Sequence, residues 1–280
     1  MGHLASTTLA FFTPQSGGSP NANEIDSLYK IVLWVALVLF FAVTGALLYA
    51  MFRYRARRGA VAAQIRGNTR LEVGWTVGAA LILVALAVVT FVKLPAIQNP
   101  PNSDANAAVV HADSGGALLA SATRKLPPNG KALQIHVIGR QYVWQYVYPG
   151  ASEPDGLGAP YSYEELVVPV GTTVLLDVEA VDVVHEWWVP ALGPKVQAVP
   201  GYHNYTWFKA LKPGIYRGQC SFICGRGHAR MIATVKAVSP SQFEAWLSTR
   251  KQEIAEANKA AQQARETLSK QTGAGQVENP

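Results

Sequence analysis

The sequence predicts a membrane α-helical hairpin followed by an all-β domain and a C-terminal helical tail. Three observations carry this. Residues 31–52 and 73–92 are two apolar stretches without a charged residue. Between 131 and 238, short strand-like runs alternate with Pro-Gly and Val-Gly breaks and no long helical pattern intervenes. Beyond 239 the chain turns to Lys, Glu, Gln and Ala. The order of elements is an outer N-terminal segment (1–26), the hairpin (27–97), a Pro/Gly/Ala/Ser/Asn-rich linker (98–130), the β domain (131–238) and the tail (239–280).

Each apolar stretch supplies about the twenty residues that a helix needs to cross hydrocarbon, and both are apolar all round, which excludes amphipathic core helices. With 49% hydrophobic and only 15% charged residues, the chain is more apolar than an ordinary soluble protein. From residue 53 to 70 the chain carries Arg53, Arg55, Arg57, Arg58, Arg66 and Arg70 and no acid, so that loop is expected on the cytoplasmic side of a bacterial inner membrane. Both termini and the β domain are then outside, in the periplasm or its equivalent. Much of the net charge of +6 is this topological signal, and no nucleic-acid partner is needed to explain it. Residues 1–12 have no basic start and only a short apolar run, a poor signal peptide. Tyr29, Trp34, Tyr54 and Trp75 stand near the span ends, where aromatic residues anchor in the lipid interface.

In the β domain, strand-like runs fall at 132–138, 142–148, 165–168, 172–180, 186–189, 203–208, 214–218 and 231–238. Breaks at Pro149-Gly150, Val170-Gly171, Pro200-Gly201 and Pro213-Gly214 separate them. Many short strands imply an antiparallel sandwich or barrel. Ser239-Pro240-Ser241-Gln242 reads as a helix start. Ile254, Ala257, Ala261, Ala264 and Leu268 follow at heptad-like spacing, but a stripe so rich in alanine fits a solvated helix better than a coiled coil.

The chemistry is concentrated in residues 220–231. Both cysteines of the chain, Cys220 and Cys224, stand there with His228 and Met231, and Met231 is the only one of three methionines outside the start and the first span. His185 lies upstream in Val184-His185-Glu186-Trp187-Trp188. Thiolate, thioether and imidazole together select copper over zinc or hard cations. A single blue-copper site needs one cysteine; two thiolates can bridge two coppers, each with one histidine as terminal ligand. Such a pair spreads one unpaired electron over both metals and suits electron transfer. Three other readings stand beside it. A disulfide leaves His228 and Met231 unexplained, a zinc site of His185, Cys220, Cys224 and His228 leaves Met231 unused, and a thioredoxin-type copper chaperone has its histidine far downstream. A cupredoxin-like Greek-key β-barrel is the natural host for the copper pair, because rigid sheets can hold ligands from one loop and one distant strand end.

On this motif, His185 and the two spans, the chain resembles cytochrome c oxidase subunit II over nearly its whole length. The resemblance implies that His185, Cys220, Cys224, His228, Met231 and the backbone carbonyl of Phe222 hold the dinuclear CuA centre. It implies an electron-transfer subunit of a terminal respiratory oxidase, an oxidoreductase and translocase that reduces oxygen to water and pumps protons. Electrons would come from cytochrome c or a membrane-held haem donor, one in a supercomplex included, and pass to haem in subunit I. Further matches are Asp182-Val183-Val184-His185, Val189-Pro190-Ala191-Leu192-Gly193, Pro200-Gly201 and Pro213-Gly214-Ile215-Tyr216. In Leu71-Glu72-Val73-Gly74-Trp75 the resemblance makes Glu72 the candidate for the mouth of a proton channel shared with subunit I; a snorkelling interfacial acid is the simpler reading.

Three departures from the family pattern stand out. Phe222 occupies the place of a glutamate that binds an interface Mg or Mn ion, so that ion is doubtful here, and Gln197 replaces a nearby aspartate. In Gly139-Arg140-Gln141-Tyr142-Val143-Trp144, Tyr142 takes the place of the tryptophan where electrons arrive, while Trp144 is retained. The chain has no Cys-x-x-Cys-His for a fused haem, so haem and oxygen chemistry belong to a partner subunit. The alternative function is a membrane-anchored copper-delivery protein; two coppers with a mixed-valence spectrum distinguish electron transfer from delivery of one cuprous ion.

Overall fold

The computed structural model describes residues 15–55, 61, 64, 67–107, 125–149 and 159–273. The start of the chain, Arg57, Arg58, Arg66, Gly150 and much of the linker lie outside the described residues. Two compact units result, one helical (Asn23–Ile97) and one built on β-structure (Ser16–Ala22 with the chain from Gln98 onward).

In the helical unit, α1 runs Pro20–Arg53 and α2 runs Thr69–Gln98. Pro20 opens α1, where a missing N–H costs nothing and φ is preset. At the start of α2, the Asn68 side chain accepts the Leu71 N–H at 3.3 Å. The Glu72 carboxylate accepts the Asn68 N–H at 3.2 Å, so two of the four orphan donors of the first turn are satisfied. None of the most apolar window of either helix is buried within the chain, and Trp34, Trp75 and Tyr54 are exposed. Helices with so much uncovered apolar surface require a bilayer around them. Lys93 Nζ pairs with Glu24 Oε2 at 2.8 Å at the far end of the helices from the basic loop.

The β unit contains β1 (Leu133–Arg140), β2 (Val143–Val147), β3 (Tyr161–Tyr163), β4 (Glu165–Pro169), β5 (Thr173–Ala180), β6 (His185–Trp187), β7 (Val196–Ala198), β8 (Asn204–Lys209), β9 (Gly214–Gln219) and β10 (Ile232–Val238). One sheet has the order β3-β2-β1-β5-β8 and a second β4-β10-β9, with β6-β7 as a separate hairpin. The expectation of a purely antiparallel fold is corrected: β1 pairs with β5 and β4 with β10 in parallel. Each strand buries one face whichever way its neighbour runs, so the alternation in the sequence is blind to partner direction.

Alternate residues of the sheets meet in one core. Leu133, Ile135 and Val137 of β1, Leu176 and Val178 of β5, and Ala233 and Val235 of β10 are buried, with Trp144 and Phe208 among the largest side chains enclosed. The first half of β5 is buried on both faces: Pro101 and Ser103 bond Thr173, and Leu175 packs with Ala132 and Trp207. Thr173 Oγ1 donates to Pro101 O at 2.6 Å, and Ser103 Oγ accepts the Thr173 N–H at 2.9 Å.

The tail helix, α3, runs Pro240–Gly273. Ser239 and Gln242 form a reciprocal capping box: Ser239 Oγ accepts the Gln242 N–H at 3.3 Å and Gln242 Oε1 accepts the Ser239 N–H at 3.1 Å. The expectation of a solvated helix needs correction over its first half. Phe243, Leu247 and Ile254 are buried, and the Trp246 ring lies 4.9 Å from that of Tyr148. From residue 255 to 270 the helix is exposed.

Candidate metal centre

The site is built where β9 ends and β10 begins. Cys220 follows β9, Met231 precedes β10, and the Cys220 N–H donates to the Met231 carbonyl at 2.9 Å, closing the loop 220–231 at its base. The antiparallel pairing of β9 with β10 continues into this bond, with Ile232 opposite Gln219. A short 3₁₀ turn, His228–Arg230, brings His228 back over the loop. The Ser221 N–H donates to the Glu186 carbonyl at 2.9 Å, and Ser221 Oγ to Glu186 Oε2 at 2.6 Å, fastening the loop to β6.

The donors converge. Cys220 Sγ lies 3.9 Å from Cys224 Sγ and 3.2 Å from the Phe222 carbonyl oxygen. Cys224 Sγ is 3.7 Å from His228 Nδ1 and 4.0 Å from Met231 Sδ. From β6, His185 joins them: its ligating atom and those of the two cysteines all lie within 4.8 Å of one another. Both cysteines are free and buried; a disulfide would bring the sulfurs to about 2.05 Å. His185 and Met231 are fully enclosed, His228 is half-buried.

Asp182 orients His185. Its carboxylate accepts the Gln141 and Val183 N–H groups at 2.6 Å each and lies 2.8 Å from His185 Nε2. Burial alone would raise the Asp182 pKa, but the His185 ring and those two amides outweigh it and hold the carboxyl below its usual range. An ionised carboxylate only accepts, so Nε2 carries the ring proton and Nδ1 keeps its lone pair. That Nδ1 is buried and makes no aligned hydrogen bond, although the ring stands close enough to the Cys220 thiol to lower its pKa. An orphaned imidazole nitrogen beside two thiols fits a soft or borderline metal ion, which would satisfy it.

The thiols differ. Burial pushes Cys220 up, yet the His185 ring, the Glu186 and Phe222 backbone and His228 outweigh this and lower it to about 6. Cys224 is raised to about 11 by burial and then by the charge on Cys220. One thiolate therefore forms readily and the second needs a cation to offset the first.

Tyr142 and Trp144 flank the centre differently. Tyr142 is not in a strand, as the 142–148 run suggested, but in the turn between β1 and β2. Its ring lies flat against Gly225 and Gly227, leaving no room for a Cβ at either. Gln141 Nε2 ties the same turn to the Cys224 carbonyl at 2.7 Å. Trp144 is fully buried, its ring centroid 5.9 Å from that of His185, and Gly139 is the residue that makes room for both rings. Phe222 and Ile223 are exposed at the loop tip. Arg226 and Arg230 are exposed and make no ion pair among the described residues.

Four acids of the β unit each have a close neighbour: Asp177 has His203, Glu179 has His136 and His203, Asp182 has His185, and Glu186 has Ser221 and Lys195. Apart from His185, three residues from Asp182, these partners are distant in sequence, where sequence reasoning does not reach. Gln197 sits opposite Glu186 in the β6–β7 pair. Glu72 is far from this chemistry along the chain, an exposed residue capping α2.

Comparison with known proteins agrees with this organisation. The family profile described as "Cytochrome C oxidase subunit II, periplasmic domain" matches residues 161–238, and "Cytochrome C oxidase subunit II, transmembrane domain" matches residues 6–92. Cytochrome c oxidase subunit 2 of Cereibacter sphaeroides is 32% identical over 272 residues, spanning 84% of this chain and 80% of that protein. The Thermostichus vulcanus subunit 2 is 32% identical over 257 residues, 81% of this chain and 75% of its own. The crystal structure of the periplasmic domain of the Bradyrhizobium japonicum subunit II is 34% identical with a TM-score of 0.40, covering 44% of this chain and 95% of that domain. With its two apolar helices, its β unit and its cluster of cysteine and histidine donors, the chain belongs to the cytochrome c oxidase subunit II family, and so to an inner-membrane oxidoreductase of the haem–copper oxidase class.

Proposed function

We propose that His185, Cys220, Cys224, His228 and Met231, with the Phe222 carbonyl, hold a dinuclear copper centre through which this chain takes electrons from a haem donor and passes them to haem in subunit I. The observation that carries the reading is the orphaned, enclosed Nδ1 of His185 beside two free thiols. When bound, the copper pair supplies reversible one-electron oxidation and reduction. The residues do the rest. Asp182 fixes the His185 tautomer and ring angle. Trp144 and the enclosed Met231 keep water from the inner side, and the amide-to-carbonyl bond from Cys220 to Met231 holds the loop ends at a fixed separation. A frame that does not relax between charge states keeps the barrier to electron transfer low.

Tyr142, half-buried against Gly225 and Gly227, is the proposed contact for the donor; Trp144 is an inner wall and not a surface contact. The donor is cytochrome c or a membrane-held haem protein in a larger respiratory assembly. The β unit faces the periplasm, the side opposite the basic Arg53–Arg70 loop. Glu72 is proposed at the mouth of the proton channel, its present hydrogen bond to Asn68 being one that an incoming water can replace. The experiment is metal analysis and spectroscopy of the purified oxidase. The reading expects two coppers per chain sharing one unpaired electron; one copper per chain with a single-copper spectrum overturns it.

A further inference from the structure

A second group of ligand-type side chains lies on the outer face of the five-stranded sheet, away from the cysteine loop in sequence and in element. His136 on β1 is paired in register with Asp177 on β5. Glu179 is two residues further along β5 and so on the same face. His203 stands just before β8, next in line after the Val178–Asn204 pair, which sets it opposite Glu179. Three neighbouring strands thus present two imidazoles and two carboxylates on one half-buried surface.

The distances define roles. Asp177 Oδ1 is 2.8 Å from His203 Nδ1. A carboxylate accepting there leaves the lone pair on His203 Nε2, which lies 3.6 Å from Glu179 Oε2. His136 Nε2 is 3.0 Å from Glu179 Oε1, yet it is buried and out of line for a hydrogen bond to any partner. The Glu179 carboxylate therefore stands between two imidazole nitrogens, and neither satisfies it with an aligned hydrogen bond. A tetrahedral ion with bonds of about 2.0–2.1 Å separates its donors by about 3.3 Å, between the two observed spacings. We propose that His136, Glu179 and His203 form a second metal site, for a divalent transition ion of the zinc class, with Asp177 holding His203 in position. Two nitrogen donors exclude magnesium and calcium as the preferred ion, and the half-exposed face leaves a coordination position for water. The carboxylate behind His203 is the support that metal-bound histidines regularly use.

The test is titration of cobalt(II) into the copper-loaded full-length protein in detergent. One cobalt per chain is expected, with visible ligand-field bands and without the near-ultraviolet thiolate-to-metal band that the cysteines would give. His136→Ala and His203→Ala should each weaken binding by more than about 100-fold, and Asp177→Asn, which alters only the supporting charge, by about 10- to 100-fold. The spectrum should persist in Cys224→Ser. Binding only at millimolar cobalt, a thiolate band, or binding untouched by the histidine and Asp177 variants would show that the four side chains are simply ion-paired.

Discussion

The loop 220–231 has a floor and a rim that obey opposite rules. On the floor, Cys220, Cys224 and Met231 are enclosed with His185, and every backbone contact that fixes them comes from the chain itself. On the rim, Phe222, Ile223, Arg226 and Arg230 are exposed, and neither arginine has an ion-pair partner among the described residues. Under the proposed function, residues that would set the metal's chemistry are separated, within a few positions, from residues open to a partner.

Substituting a floor donor breaks the comparison most severely. Cys224→Ser removes one of two sulfurs 3.9 Å apart; copper content should fall to one or none, and donor-driven oxygen reduction to background, read by metal analysis and oxygen uptake. Asp182→Asn acts one step back. It keeps the size of the side chain but removes the charge that holds His185 Nε2 at 2.8 Å, and copper affinity should fall by about 10- to 100-fold, measured by competition with a chelator. Gly227→Ala lies at the boundary. A Cβ there meets the Tyr142 ring, at an overpacking cost of about 1–3 kcal/mol. The copper spectrum should survive while kcat/KM for the donor drops, and Tyr142→Leu should reproduce the kinetic defect without the loss of stability.

The rim should give the smallest effects. Phe222 offers no side-chain oxygen, so the magnetic-resonance signal of manganese in manganese-grown oxidase should not change in Phe222→Ala; a strong signal that depends on position 222 would contradict this. Arg226 and Arg230 are exposed beside the proposed centre, so the face a donor meets is not uniformly negative. Turnover with the native donor should fall only slightly with added salt, as screening over about 10 Å at 0.1 M removes little. A steep loss, with tight binding of a soluble basic cytochrome c, would place the attraction elsewhere on the rim.

What was legible in the sequence follows the same division. The spans, the capping box at Ser239 and the convergence of Cys220, Cys224, His228 and Met231 are local, carried by composition or by spacing within a few residues. β3 and β7 escaped notice because three-residue strands have no periodicity to read. Parallel pairing was invisible for the reason given above. Phe243, Leu247 and Ile254 do share one helix face by spacing, but the surface that buries the start of it, Tyr148 among others, lies nearly a hundred positions away in sequence. Above all, the cluster of His136, Asp177, Glu179 and His203 spans 68 positions between its outermost members, 203 minus 136 counted inclusively, and exists only because β1, β5 and β8 are adjacent.

The bond from the Cys220 amide to the Met231 carbonyl uses no side chain at all. Its consequence is evolutionary. A loop shut by main-chain atoms stays shut whatever side chains it carries, proline at position 220 excepted, so an acid at position 222, a different rim or the loss of donor atoms would not dismantle the two strands that meet there. The frame and the donor atoms can then change independently of one another.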